Sequence, residues 1–108
     1  MPPKDKFKIC ISKPFENCER IYPIQQERVS EIIKQIKKDS NVLKAIIFGS
    51  SVTNACHIDS DIDIYFQLAK NKKVKLQNVD YQIDAWTNFS VDKNLYSKIF
   101  ETGVVVYG

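Results

Sequence analysis

Apolar residues recur every three or four positions after Pro23, which is the pattern of an amphipathic helix. The recurring apolar positions are Val29, Ile32, Ile33 and Ile36. Charged residues occupy the positions between them, and proline is favoured as the first residue of a helix. The pattern therefore predicts a helix that begins at Pro23 and ends near residues 39–41.

A nearly continuous apolar run from Val42 to Phe48 is rich in β-branched residues, which is typical of a central strand buried on both faces. Gly49 ends this run. Residues 50–55 predict a short helix, closed by Asn54 in the left-handed conformation that often follows a helix. A second apolar strand is predicted from Asp61 to Leu68.

The segment from Val79 to Trp86 alternates apolar and polar residues and predicts a third strand. We expect it to pair antiparallel with the second strand across a lysine-rich turn. The lysines of that turn are Lys70, Lys72, Lys73 and Lys75. Their most economical interpretation is a solvated loop, and the alternative is a contact for phosphates or for an acidic partner.

A second helix is predicted after Ser90, the expected N-cap, with Asp92 in its first turn. Gly103 ends this helix, and residues 104–107 predict a last strand. The order is helix, strand, short helix, two strands, helix and strand. It predicts a small α/β or α+β fold, in which helices pack on a small mixed sheet.

Residues 1–22 form an extension that we leave unassigned, apart from an alternating stretch from Phe7 to Ile11 that predicts a short edge strand. Residues 23–108 are expected to form one domain. The composition is 44% apolar and 27% charged, with no apolar run long enough to span a membrane and no secretory signal at the start. We therefore expect a cytoplasmic protein without a membrane partner.

The net charge of +3 is too small to favour a nucleic-acid partner. Three irregularly spaced cysteines are not a disulfide framework, so reduced thiols are expected. Cys56 and His57 supply at most half of a zinc site, and no second pair with metal-ligand spacing accompanies them.

Two carboxylates stand two residues apart at the start of the second predicted strand. Residues at this spacing share one face of a strand, so Asp61 and Asp63 are expected to lie side by side. Mg²⁺ favours carboxylate oxygens and is often held by one or two carboxylates together with substrate phosphates. The pair therefore predicts a magnesium site for a nucleoside triphosphate.

A third acid, Asp84, lies on the polar face of the third predicted strand, together with Asp80 and Gln82. If that strand neighbours the second, three carboxylates would hold two metal ions, and Asp84 could also act as a base. Gly49 and Ser50 are expected to bind phosphate, because glycine permits close approach and a following helix offers N–H groups.

Gly49-Ser50, ten residues (Ser51 to Ser60) and then Asp61-Ile62-Asp63 make up a signature. It resembles that of the nucleotidyltransferases of the DNA polymerase β superfamily. The ending Gly103-Val104-Val105-Val106-Tyr107 is similar to that of the minimal nucleotidyltransferases. This resemblance implies a polymerase β palm-like fold, ATP as substrate, Mg²⁺ held by Asp61, Asp63 and Asp84, and nucleotide binding by Gly49 and Ser50.

The minimal nucleotidyltransferases are often encoded beside a HEPN-domain protein. The resemblance implies an antitoxin that transfers AMP from ATP to a tyrosine of a HEPN ribonuclease toxin. Many members have two arginines after Gly-Ser, where this chain has Ser51 and Thr53. A lysine such as Lys44 or Lys70 would then have to compensate at the triphosphate.

Two other functions remain open from the sequence. The chain could neutralise its partner by occlusion, with Trp86, Phe89 or Tyr107 at the interface, although core packing is the simpler interpretation of Trp86. A nucleic-acid polymerase is disfavoured by the modest charge and by the lack of a recognisable template-gripping domain.

Overall fold

A mixed sheet of four strands carries one helix on each face. The structure is a computed structural model that describes residues 6–54, 60–77, 79 and 81–108. The elements are α1 (Pro23–Ile36), β1 (Val42–Phe48), β2 (Ile62–Leu68), β3 (Ile83–Thr87), α2 (Lys93–Thr102) and β4 (Val104–Tyr107). This architecture confirms the predicted α+β class and the predicted order of the main elements.

The strands lie in the order β3-β2-β1-β4. Strand β1 is antiparallel to both β2 and β4, whereas β2 and β3 are parallel. The prediction that β2 and β3 pair antiparallel was therefore wrong. Strand β3 also begins four residues later than the predicted Val79.

The connection between β2 and β3 explains the error, because its described residues pack on the α1 side of the sheet instead of forming a hairpin turn. The side chain of Gln35 on α1 exchanges two hydrogen bonds with the backbone of Gln77, at 2.8 and 2.7 Å. Near the end of the crossover, the hydroxyl of Tyr81 donates to the carbonyl of Arg28 at 2.9 Å. A connection of this length lets two sequential strands run parallel.

Two apolar layers hold the helices to the sheet. On one face, the stripe of α1 packs against Ala45 and Ile47 of β1 and against alternate residues of β2. On the other face, Ile99 of α2 packs against Ile46, Phe48 and Tyr65. From Lys44 onward, consecutive residues of β1 point to opposite faces, and residues 45–48 are buried on both sides, as predicted. Leu43, beside a register shift at the start of the strand, is 51% exposed, so the prediction was wrong there.

Three local predictions around the strands were wrong. The segment after β1 is a 3-10 helix, Gly49–Val52, shorter than the predicted helix, and Gly49, not Asn54, takes the positive φ of 74°. Asp92, not Ser90, caps α2, since its carboxylate accepts the Leu95 N–H at 2.8 Å. Ser90 instead accepts the Thr87 N–H in the preceding turn.

The predicted strand from Phe7 to Ile11 does not form; the described residues there are irregular. Residues 6–22 nevertheless pack on the domain. Ile21 is buried in the α1-side layer, and the fully buried Gln26 amide donates to the carbonyls of Lys8 and Ile21, at 2.9 Å each. No helix in the described part of the chain is long and apolar enough to cross a membrane.

Candidate active site

The three predicted acids meet at the end of the sheet where β1 ends and β2 begins. Asp63 of β2 lies opposite Phe48 of β1 on one side and opposite Asp84 of β3 on the other. Asp61 is two residues before Asp63 and therefore shares its face. Asp63 lies on the face that carries α2, and the charges of both Asp84 and Asp61 act on it.

The in-register parallel pairing of β2 and β3 makes Asp63 and Asp84 direct neighbours. Neighbouring strands are about 4.8 Å apart, so the two carboxylates lie within reach of one shared ion. The predicted proximity of Asp84 is confirmed, although the strand direction on which the prediction rested was wrong. Asp80, assigned to the same polar face, and the Cys56-His57 pair lie outside the described residues.

The electrostatics of the site disfavour the charged form of Asp63. Burial raises the pKa of Asp63, and the negative charges of Asp84 and Asp61 raise it further. A bound cation would therefore relieve both the repulsion and part of the cost of burial.

The acids fit a magnesium ion that shares its ligands with a nucleotide. Within the described residues, no group of three or more acidic, histidine or cysteine side chains is placed so that it could hold a metal ion, so Asp61, Asp63 and Asp84 do not form a metal site by themselves. Mg²⁺ is commonly bound by one or two carboxylates and substrate phosphates. The adjacent Asp63 and Asp84, with Asp61 beside them, offer that kind of open ligand set.

The Gly49-Ser50 turn packs directly against the acids. A β-carbon added to Gly49 would collide with the carboxylate of Asp63, and the positive φ also favours glycine. The hydroxyl of Ser50 is engaged by no described residue, and its carbonyl accepts the Thr53 N–H at 3.0 Å. The turn therefore brings an available hydroxyl and bare backbone to the edge of the acid group.

Helix α1 supports both parts of this site through contacts that the sequence did not reveal. The fully buried Gln25 donates its amide N–H to the carbonyl of Ser60 at 3.1 Å, directly before Asp61. Just before the helix, the Tyr22 N–H donates to the carbonyl of Ser51 at 2.8 Å. The signal that could have indicated Gln25 is its place on the apolar side of the helix, four residues before Val29.

Ser51 is a second residue that sequence reasoning did not single out. Its side chain is fully buried, and its hydroxyl has no hydrogen-bond partner among the described residues. A buried hydroxyl without a partner is costly to the fold, and Ser51 lies in the 3-10 helix that begins at Gly49.

Neither lysine that was considered for the triphosphate lies at the acids. The backbone of Lys70 is bonded to the side chain of Asn41, beside the start of β1. That end of the strand is about 20 Å from Phe48, at 3.3 Å per residue. Lys44 shares the face of Phe48 but precedes it by four residues, about 13 Å along the strand. The suggestion that Lys70 compensates for the missing arginines was therefore wrong.

Comparison with known families agrees with this geometry. The family model for "Polymerase beta, Nucleotidyltransferase" matches residues 30–108. The matched range includes Gly49, Ser50 and the three acids. No curated protein matches the chain significantly.

Proposed function

The chain belongs to the polymerase beta nucleotidyltransferase family, and on that premise we propose that it transfers AMP from ATP to a tyrosine hydroxyl of a partner protein. The observation that carries this proposal is the pairing of Asp63 with Asp84 beside the Gly49-Ser50 turn. A phosphate chain at the turn would place its α-phosphate next to the acids. This is the arrangement that transfer of a nucleotidyl group requires.

In this mechanism Asp61 and Asp63 hold Mg²⁺, and Gly49 and Ser50 bind the triphosphate. Mg²⁺ supplies charge neutralisation on the phosphates when it is bound. The acceptor oxygen forms a bond to the α-phosphorus, the bond from that phosphorus to the β-phosphate oxygen breaks, and pyrophosphate leaves. Asp84 orients the acceptor hydroxyl or takes its proton. A second metal ion shared with Asp84 belongs to the same proposal.

The proposed acceptor is a HEPN-domain ribonuclease encoded beside this chain. Modification of the ribonuclease would inactivate it, so this chain would act as an antitoxin. Exposed aromatic side chains support a protein partner: Phe89, Tyr96 and Phe100 are 48%, 43% and 44% exposed. Tyr96 and Phe100 are in contact, with ring centroids 4.5 Å apart, and contiguous exposed apolar groups are typical of protein contacts.

Label transfer from α-³²P-ATP tests the proposal. The wild-type chain is incubated with Mg²⁺ and the adjacent HEPN-domain protein, in parallel with Asp61→Asn, Asp63→Asn and Asp84→Asn. We expect label on the partner with the wild type, none with the first two variants, and a reduction of about 10²–10⁴-fold with Asp84→Asn. Asp92→Asn is the matched control, because it removes the same charge far from the site and keeps a helix cap.

Neutralisation of the partner by occlusion is the second candidate function, and the same exposed aromatic residues favour it. Of the three residues named for such an interface, Trp86 packs against Phe48 with ring centroids 5.5 Å apart, which confirms the core interpretation. Stable complexes without label, formed equally by the wild type and Asp63→Asn, would support occlusion and refute nucleotidyl transfer.

A further inference from the structure

The two edge strands of the sheet, β4 and β3, differ in their hydrogen bonds to the rest of the described chain. At the β4 edge, the side chain of Asn17 donates a hydrogen bond of 2.7 Å to the carbonyl of Val105. Asn17 adopts the left-handed conformation, with φ of 60°, in the segment that precedes α1. The β4 edge is thus partly closed by the rest of the chain. The other edge is β3, the strand that carries Asp84.

The direction of the backbone groups on β3 follows from its pairing with β2. The carbonyl of Gln82 accepts the Ile62 N–H at 3.0 Å, so the backbone groups of Gln82 point toward β2. The backbone N–H and C=O groups of successive residues alternate in direction along a strand. Those of Asp84 and Trp86 therefore also point toward β2, whereas those of Ile83 and Ala85 point away from the sheet.

The outward groups of Ile83 and Ala85 make no hydrogen bond with any described residue. Thr87, the next residue of the outward set, uses both of its backbone groups in the turn before α2. Its N–H donates to Ser90 Oγ, and its carbonyl accepts from Ser90 and Val91. The open part of the edge is therefore confined to two residues, and these are the two that flank Asp84.

An open strand edge of this kind recognises a peptide backbone, because only an extended peptide repeats donors and acceptors at the spacing of the strand. Natural edges are commonly blocked by lysine, proline or a bulge. The sequence of β3, Ile-Asp-Ala-Trp-Thr, has no lysine or proline. Ala85, the second of the two outward residues and the middle residue of β3, is exposed.

The geometry points to β3 as the docking edge for the acceptor: an extended segment of the partner protein pairs with Ile83 and Ala85 and presents its tyrosine opposite Asp84. This inference rests on the proposed function. In an antiparallel pair, the residue opposite Asp84 would occupy a non-hydrogen-bonded position with a Cα separation of about 4.5 Å. Its side chain would then lie on the same face as the three acids, within reach of an aromatic side chain.

The same pairing predicts which residue types are favoured near the acceptor tyrosine in the partner's sequence. A residue two positions away from the tyrosine would share its face and lie opposite Trp86. Trp86 is partly buried against the α2-side layer. An aromatic or β-branched residue at that position would therefore stabilise the added strand.

Ala85→Pro tests the docking edge, with Ala85→Val as the matched control. Proline removes the outward N–H but no ladder bond to β2, which is why proline is tolerated at strand edges. Valine keeps the N–H and adds two carbon atoms to the side chain, as proline does. With the HEPN-domain protein as acceptor, we expect transfer by Ala85→Pro to fall by about tenfold or more, the equivalent of one lost hydrogen bond together with the obstructing ring.

Binding of ATP with Mg²⁺, measured by equilibrium dialysis, should be the same for Ala85→Pro, Ala85→Val and the wild type. Undiminished transfer by Ala85→Pro would overturn the docking edge while leaving the proposed function intact. Failure of the wild type to label the partner would overturn the proposed function itself.

Amide hydrogen exchange of the wild type gives a second measurement that does not depend on folding of the proline variant. Addition of the HEPN-domain protein should slow exchange at Ile83 and Ala85 by about tenfold or more, because each outward N–H gains a partner. Exchange at Val105 and Tyr107 of β4 serves as the internal comparison. Unchanged exchange at Ile83 and Ala85 in a complex that supports label transfer would refute the proposed edge.

Discussion

Replacement of Gly49 by alanine tests the close packing of the turn against the acids. Two separate costs are expected. The left-handed backbone of Gly49 costs an alanine about 1–2 kcal/mol. The added β-carbon also collides with the carboxylate of Asp63, and relief of such overpacking costs about 1–3 kcal/mol.

A double-mutant cycle separates these two costs. In the wild-type background, Gly49→Ala should lower the free energy of unfolding by about 2–5 kcal/mol, the sum of both costs. In an Asp63→Ala background the obstructing carboxylate is gone, so only the backbone cost of about 1–2 kcal/mol should remain. The difference, about 1–3 kcal/mol, is the interaction energy between the two positions.

Urea unfolding in the absence of Mg²⁺ and nucleotide provides the assay, followed by fluorescence of Trp86, the single tryptophan. At about 4 °C per kcal/mol for a domain of this size, thermal unfolding should also resolve the two backgrounds. An equal cost of Gly49→Ala in both backgrounds would refute the contact between the turn and Asp63. A cost below about 0.5 kcal/mol in both, the usual size of a surface substitution, would refute the left-handed conformation as well.

Two further predictions concern acidic residues. Since burial and neighbouring charges raise the pKa of Asp63 above its usual 3.8, protonation of Asp63 stabilises the folded chain below that pH, and this stability is lost as the pH rises through the raised value. Without Mg²⁺, Asp63→Asn should therefore be more stable than the wild type at pH 7, and the difference in stability should decrease as the pH is lowered. A difference in melting temperature that stays constant between pH 3 and 7 would contradict this. Asp92→Ala should lower the free energy of unfolding by about 1 kcal/mol through loss of the α2 cap, while Asp92→Asn should have little effect. Equal effects of the alanine and asparagine variants in urea unfolding would contradict a capping role.

The local sequence pattern was sufficient to predict the elements whose apolar residues recur with a clear period. The stripe after Pro23 predicted α1, although the helix ends at Ile36 rather than near residues 39–41. The run from Val42 to Phe48 predicted a strand with the observed bounds, buried on both faces except at Leu43. The same pattern placed the N-cap of α2 at Ser90 and Asp92 in the first turn, whereas Asp92 is the cap. Ser90 and Asp92 both have suitable side chains, and the turn at Thr87 decides between them by engaging Ser90.

The direction of β3 was beyond the reach of local patterns, because it depends on the path of residues 69–82. Alternation identifies the two faces of a strand but gives the same result whether the strand runs parallel or antiparallel. The crossover is held by contacts with residues far away in the sequence, such as those between Gln35 and Gln77. The support of Ser60 by Gln25 spans 35 residues and was equally hidden.

The sequence by itself determined the composition of the candidate site: a glycine and serine after one strand, two carboxylates on one face of the next, and a third carboxylate on a later strand. These are local features, since they follow from side-chain chemistry and from the two-residue period of a strand. Only the tertiary structure decided that Asp84 lies directly opposite Asp63, that Lys70 lies at the far end of β1, and that β3 is an edge strand of the sheet. Each of these depends on strand order and register, which are fixed by packing between distant segments rather than by the pattern within any one of them.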